Sequence, residues 1–365
     1  MALTLAQAKV GMTNKVDQFV IELFERNSRI LAKMVFDDDA SLQGGSTLAY
    51  VFQQEKTPSV AAGRAINSAY TANEAVREQK TVNLIIFGGS YELDRVIAKT
   101  GERALNEIEY QTESKVKGSV NLFHYLLING NHTSDATVFD GLDVQLWETS
   151  TEIKGLSLDI AAMTDAEAQE LLNYIDLAIS KMVRKPDAMI VNSLMKVKIK
   201  EAARRVGYLR HDVNAFGEGT DYYDGSIEII DAGQYYGANG LVDIVPIRAA
   251  DEYRVVKVTA DTFVTDGTLY TESSGTYTAV SSGSYNSATT YYKKVGVSGS
   301  SDIYFTCFGR EELCGISLNG QKIVETYLPD LEHAGEVVKG SVEAVWGVAL
   351  KNSRAAAVVR GIKLK

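Results

Sequence analysis

Cysteine is nearly absent: Cys307 and Cys314 are the only two in 365 residues. That is too few for a disulfide framework, and the spacing is wrong for zinc. Both are expected to be buried thiols, facing each other across a hairpin that turns at Arg310 and Glu311. No run approaches the roughly 20 apolar residues of a membrane span. The opening MALTLAQAKVGMTNK lacks a signal peptide's apolar stretch, so synthesis and folding in the cytoplasm are expected. Signature motifs are missing too. There is no HExxH, no P-loop and no GxGxxG after a strand, and Gly296-Val297-Ser298-Gly299-Ser300 misses GxSxG by one residue. The four histidines, His124, His132, His211 and His333, lack ligand spacing and read as surface or packing residues. Asp37, Asp38 and Asp39 lack the alternating acids, glycine and closing glutamate of a calcium loop, and read as a solvated turn. These absences nominate no catalytic residue, no metal site and no cofactor. A net charge of −10 and a pI near 5.1 argue against a nonspecific nucleic-acid binder.

What is present begins with a helix. In ERALNEIEYQTESKVKGSVNLFHYLLIN, residues 102–129, apolar groups fall at Leu105, Ile108, Thr112 (by its methyl), Val116, Val120, Phe123 and Leu127. Steps of three and four make one stripe. At about 1.5 Å per residue the helix is about 40 Å long, against a usual length of about 11–12 residues. It needs a sheet or several segments along it, and by itself it reads as the core helix of a large α/β domain. Upstream, Asn14 caps a helix through about Lys33, with Val16, Phe19, Val20, Leu23, Phe24, Ile30 and Leu31 on one side. That helix packs on the body or on a neighbouring chain.

TLAYVFQ (47–53) and TVNLIIF (81–87) are strand-like. The two dozen residues between them, EKTPSVAAGRAINSAYTANEAVREQ, have no stripe able to make a core. Loops of that length are usually functional or mobile, and an extended hairpin reaching away from the body fits best. It carries Glu55, Lys56, Arg64, Glu74, Arg77, Glu78 and Lys80, both signs mixed, as suits contact with another surface. Gly88-Gly89 then breaks the strand, and Tyr91–Thr100 continues extended to the long helix. Phe139-Asp140-Gly141-Leu142 marks a tight turn.

Thr164 and Glu167 form a capping box ahead of a helix bearing Leu171, Leu172, Ile175 and Ile179. A strand at 187–191, a helix at 194–206 rich in Lys and Arg, and strands at 226–231 and 241–247 make an α/β lobe. Residues 251–301 change character: seven tyrosines lie between Tyr253 and Tyr304, with abundant Ser, Thr and Gly. Asp266-Gly267 supplies the type I′ turn of a hairpin over 262–271. A small all-β insert is expected there, with low-complexity linker as the alternative. The chain returns as a hairpin over 302–316 and ends with strands at 336–350 and 355–362.

Six stretches in this order, YVFQQEKTPSVAAGRAINSAYT, FGGSYELDRVIAKTGE, FDGL, KPDAMIVNSLM, IYFTCFGREELCGI and WGVALKNSRAAAVVRGI, carry a resemblance. The chain resembles the major capsid proteins of tailed bacteriophages, the Hong Kong 97 fold family. The resemblance implies an α+β capsid fold with a small all-β insertion. Residues 1–45 would be an N-terminal arm, 46–90 an extended loop hairpin, 91–154 with 325–365 a peripheral domain holding the spine helix, and 155–324 an axial domain carrying insertion 251–301. It implies a protein that is no enzyme and assembles with itself into hexamers and pentamers of an icosahedral virion shell around double-stranded DNA. A separate scaffolding protein, a portal and a decoration protein are the implied partners. Phe19, Leu23, Phe24, Glu55, Lys56, Arg64, Arg77, Glu78 and Lys80 are the candidate interface residues. Some relatives cross-link lysine to asparagine between neighbours; Lys56, Lys80 and Asn352 are the conceivable participants, selected by no spacing. Alternatives are an encapsulin-type compartment around a cargo enzyme, a β-rich virion adhesion or tail protein, and a hydrolase with a scattered site.

Overall fold

The computed structural model describes residues 28–37, 49–57, 59–70, 73–94, 102–155, 158–206, 210–213, 219–223, 226–237, 240–249, 253–258, 269–273, 276–280, 291–317, 324–329 and 336–365. A single helix runs Glu102–Asn129. Thr112, Val116, Val120, Phe123 and Leu127 are buried along it, and Ile108 packs half-buried against Tyr91, Leu93 and Val338. The side chain of Leu105 lies outside the described residues. The helix ends where Gly130 and Gly141 cross, Gly141 N donating to Gly130 O at 2.8 Å. A Cβ on Gly130 would stand 2.2 Å from Phe139 O. The turn expected at 139–142 is therefore also the clasp that closes the helix, with Gly141 capping a short helix Leu142–Gln145.

Beneath the helix lies a five-stranded sheet. Its axis is Val337–Leu350, paired antiparallel with Ile85–Asp94 on one edge and with Leu313–Ser317 and Val324–Tyr327 on the other. Phe36–Asp37 adds a parallel strand beside Leu313–Ser317. Trp346 is fully buried, with Phe36, Phe87 and Phe123 rings centred 4.9, 5.5 and 5.4 Å away. Contrary to expectation, Gly88-Gly89 does not break the strand: Ile85–Asp94 runs straight through it. A Cβ on Gly88 would meet Val342 O at 1.9 Å, and one on Gly89 the Lys115 side chain at 2.9 Å. The pair is there for close approach, not for a turn.

The second sheet has seven strands in the order Glu152–Lys154, Ala356–Lys363, Ser300–Thr306, Ala188–Val191, Ile227–Asp231, Gly219–Tyr223, Arg210–Val213. Ala188–Val191 and Ile227–Asp231 are parallel, and the chain between them runs through the helix Ser193–Val206 and the strands Arg210–Val213 and Gly219–Tyr223, within the α/β lobe that the alternating pattern predicts. The helix Asp165–Lys181 starts on the expected capping box, Glu167 Oε2 accepting from Thr164 N at 2.7 Å. Residues 241–247, by contrast, are not a strand of this sheet. Gly240–Asp243 folds back on Gln234–Gly237 as a ribbon, whose Tyr235 stacks on Tyr125 of the long helix at 5.1 Å.

The expected hairpin over 302–316 does not form. Ser300–Thr306 belongs to the seven-stranded sheet and Leu313–Ser317 to the five-stranded one. The segment between them crosses from one sheet to the other, so the two cysteines do not face each other across a hairpin. Cys307 Sγ donates to Arg184 O at 3.6 Å and Cys314 Sγ to Ala349 O at 3.8 Å. Both are buried free thiols, and burial pushes them up to about 12 and about 11.

Residues 253–296 hold a separate four-stranded sheet, Tyr253–Val258, Tyr291–Gly296, Leu269–Ser273, Thr276–Val280 in spatial order, and not a linker. The turn expected at Asp266-Gly267 lies outside the described residues. Leu269 and Tyr270 pair with 280 and 279 on one edge and with 293 and 292 on the other. Leu269–Ser273 and Thr276–Val280 pair antiparallel, from Leu269↔280 to Ser273↔Thr276.

Candidate assembly interface

Ala49–Thr57 and Val76–Asn83 form an isolated two-stranded hairpin, paired from Ala49↔Asn83 to Thr57↔Val76. At about 3.3 Å per residue the stem alone is about 30 Å long. Its root is anchored: Tyr50 and Leu84 pack on Cys314, Ile316 and Ala349, and Gln54 Nε2 donates to Lys351 O at 3.0 Å. Beyond the root the body ends, and among the described residues every one from 59 to 81 is exposed. Val60, Ile66, Tyr70 and Val76 are apolar and 68%, 92%, 66% and 50% exposed.

The tip is nonetheless ordered by itself. Asn73 clamps Val60 through both its amide atoms, at 3.2 and 2.8 Å. Arg64 lies over the Tyr70 ring at 5.3 Å and donates to Ser68 O at 3.1 Å, around Asn67 at φ 68°. The tip is thus shaped, and it holds Val60 and Ile66 outward, exposed among the described residues. Of the candidate interface residues, Glu55, Arg64, Arg77, Glu78 and Lys80 are exposed on this hairpin, with Glu55 opposite Arg77. Lys56 is in the same strand. Phe19, Leu23 and Phe24 lie outside the described residues.

The described end of the N-terminal helix, Arg29–Lys33, does not stand free. Ile30, Leu31 and Met34 are buried in the chain's own core, and Arg29 and Lys33 pair with buried Glu228 at 3.0 and 2.8 Å. Of the two placements expected for this helix, on the body or on a neighbouring chain, residues 29–34 take the first. Its cap Ser28 accepts from Leu31 N at 2.9 Å and shares a 2.5 Å hydrogen bond with His124 Nε2. Burial lowers His124 to about 4. The unfolded chain, with an ordinary histidine near 6.5, binds the proton first, so stability is full above that value and declines as pH falls toward 4. The loss reaches about 3 kcal/mol. His124→Gln should flatten this part of the melting profile between pH 6.5 and 4; an unchanged slope would assign the acid sensitivity elsewhere.

Asp37 corrects another expectation. It is not part of a solvated turn: its carboxylate is 1% exposed and bonds Lys351 Nζ and both Arg310 Nη2 and Nε, the latter two at 3.0 and 3.1 Å. Parallel pairing of Phe36–Asp37 with Gly315–Ile316 buries it, and Phe36 fits because residue 315 has no Cβ. Lys351 also lies over the Tyr50 ring at 5.1 Å. One lysine thus ties the N-terminal strand to the hairpin root. No spacing in the sequence links residues 37, 310 and 351.

The chemistry available elsewhere is small. A cleft of about 220 Å³ at the hairpin root is lined by Phe52, Lys80, Asn83, His132, Asp140 and others. Its polar groups serve the adjoining loop: His132 Nδ1 bonds Val138 O at 2.8 Å, and Asp140 Oδ1 accepts from His132 N. Asn352 Oδ1 accepts from Arg354 N within its own turn. Among the described residues no three His, Cys, Asp or Glu side chains come together as metal ligands, and no helix is long and apolar enough to cross a membrane.

No protein-family model matches the chain, and no curated protein matches it in sequence. Solved structures do. The holo-SrpI encapsulin complex of Synechococcus elongatus PCC 7942 aligns over 92% of this chain and 88% of its own at TM-score 0.56 and 11% identity. The capsid of Myoviridae phage XM1 aligns over 91% of each chain, TM-score 0.47 and 11% identity. A virus-like particle from Pyrococcus furiosus aligns over 95% and 99%, TM-score 0.42 and 11% identity. Likeness along nearly the whole chain, joined to the order of hairpin, spine helix and two sheets, identifies an α+β protein with the Hong Kong 97-type capsid fold.

Proposed function

We propose that this protein is the repeating subunit of a closed icosahedral shell, the major capsid protein of a tailed phage, enclosing double-stranded DNA. The carrying observation is the hairpin of residues 49–83, which is shaped and whose tip holds Val60, Ile66 and Tyr70 exposed among the described residues. A surface of that kind belongs against another molecule. In a one-component assembly that molecule is the next copy, through a heterologous contact that closes into rings. In this proposal 46–90 is the extended loop, 91–154 with 325–365 the peripheral domain, 155–324 the axial domain, and 251–301 its insertion. Glu55, Lys56, Arg64, Arg77, Glu78 and Lys80 lie at the copy-to-copy contact, and the acidic chain keeps packaged DNA from adhering to the wall.

A second reading, a compartment around a cargo enzyme, is favoured by the encapsulin likeness at TM-score 0.56. Negative-stain microscopy of particles purified from the native source, followed by nuclease treatment, separates the two. Shells holding nuclease-protected DNA support the capsid. Shells without DNA but with a stoichiometric second protein support the compartment. A stable monomer at high concentration, with scaffold supplied, would refute both.

A further inference from the structure

The N-terminal strand Phe36–Asp37 straddles the edge of the five-stranded sheet. Successive residues of a strand point to opposite faces. Phe36 stands opposite Gly315 on the core face, its ring 4.9 Å from Trp346. Asp37 stands opposite Ile316 on the other face, where Cys314, Ile316 and Ala349 carry Tyr50 and Leu84 of the hairpin root. There its buried carboxylate meets Lys351 and Arg310. Lys351 in turn lies over the Tyr50 ring, and its carbonyl accepts from Gln54 Nε2. Side chain and backbone of this one lysine thus both meet the hairpin.

The strand is lightly held. It adds two residues to the sheet edge in parallel pairing, the weaker kind, with Gly315 N donating to Val35 O at 2.9 Å. Val35 is exposed and Phe36 half-buried. The residues before it are held firmly: Ile30, Leu31 and Met34 in the core, Arg29 and Lys33 on Glu228, Ser28 on His124. Beneath the strand, Leu313–Ser317 has its own pairing with Val337–Leu350, and Trp346 its own contacts with Phe87 and Phe123. Neither depends on Phe36.

We propose that Phe36–Asp37 is a latch for the hairpin: seated, it holds Lys351 against the hairpin root; lifted, it frees the root to move. Met34, extended at φ −72° and ψ 127° where the helix Arg29–Lys33 ends, is the pivot. The coupling crosses the sheet edge, from Phe36 on one face to Tyr50 on the other. It is reciprocal, so what loosens the root also loosens the latch. The latch is a property of the single subunit and goes beyond the shell reading without resting on it. In a shell it decides whether the hairpin is presented rigidly or is free to adjust to a neighbour.

The test reads amide hydrogen exchange in the full-length chain, with every variant in the same state of association. Gly315→Val puts a side chain where the Phe36 ring lies: a Cβ at 315 stands 2.6 Å from that ring, on the face away from the hairpin root. Asp37→Asn removes the charge that holds Lys351. Each should speed exchange in the stem strand Ala49–Thr57 about tenfold, with Ser300–Thr306 unchanged. The double variant should be no faster than the faster single, since both act through one latch. Reciprocally, Tyr50→Leu should speed exchange in Leu313–Ser317, where Gly315 N reports on the latch. If Gly315→Val does not fold, Asp37→Asn and Tyr50→Leu carry the test. This pattern supports the latch. Unchanged exchange in Ala49–Thr57, equal acceleration in Ser300–Thr306, or additive effects in the double variant overturns it. A chain that shows the pattern and never forms shells overturns the proposed function while leaving the latch in place.

Discussion

Replacing residues 58–75 by Asn-Gly is expected to abolish shells while leaving the stability of the single subunit within about 0.5 kcal/mol of the parent. The paired residues Thr57 and Val76 are already at the distance that a two-residue turn spans, and Asn-Gly supplies its positive φ angles. The tip removed touches itself: Asn73 with Val60, Arg64 with Ser68 and Tyr70. The root cluster of Tyr50, Leu84, Cys314, Ile316 and Ala349 is untouched. Thermal unfolding and sedimentation read the two halves of the prediction separately. Lost stability would mean that the tip packs on its own body. Normal shells would mean that it takes no part in assembly.

Arg360→Met is expected to destabilise the subunit by about 3–5 kcal/mol. The guanidinium is 1% exposed in the strand Ala356–Lys363. It pairs with Asp143, with Glu152 at 2.5 Å and with Asp302 at 3.9 Å, donates to Asp143 O at 2.7 Å, and lies over the Trp147 ring at 5.6 Å. Burial by itself would lower its pKa, but Tyr304 and the carboxylates around it raise it, so it stays charged. Methionine fills much of the volume and leaves three carboxylates sharing Arg248, which reaches Asp302 at 3.0 Å. The cost is the uncompensated buried negative charge. It should therefore shrink as the pH falls and the orphaned acids take up protons, so the melting curves of variant and parent should converge toward pH 4. A deficit below about 1 kcal/mol at neutral pH would show that the cluster does not hold the 139–155 segment to the sheet.

Periodicity made the local elements legible. Of the stripe Leu105, Ile108, Thr112, Val116, Val120, Phe123 and Leu127, the last five are buried and Ile108 is half-buried, while the Leu105 side chain lies outside the described residues. Thr164 and Glu167 mark where the next helix begins. The absence of any core-forming stripe between 53 and 81 marked the hairpin, because residues that bury nothing carry no apolar period. Glycine is ambiguous: Gly141 sits in the expected turn, whereas Gly88-Gly89 sits inside a strand. Gly88-Gly89 and a turn look alike in one dimension; only the neighbouring strand at Val342 and the Lys115 side chain show that close approach is the need. The 302–316 segment failed similarly, since two short apolar runs around a polar centre fit a hairpin and a change of sheet equally well.

Arg360 left one trace, a lone charge within AAAVVRGI, and Asp37 left none. The sequence by itself determined the long helix, the capping box, most strands and the protruding loop, because each depends on residues within a few positions of one another. Tertiary structure alone decided which strands share a sheet, that Asp37 meets Arg310 and Lys351, and that the tip's apolar groups stand exposed among the described residues. Those facts depend on where segments hundreds of residues apart come to lie, and a burial or an ion pair exists only once that placement is made.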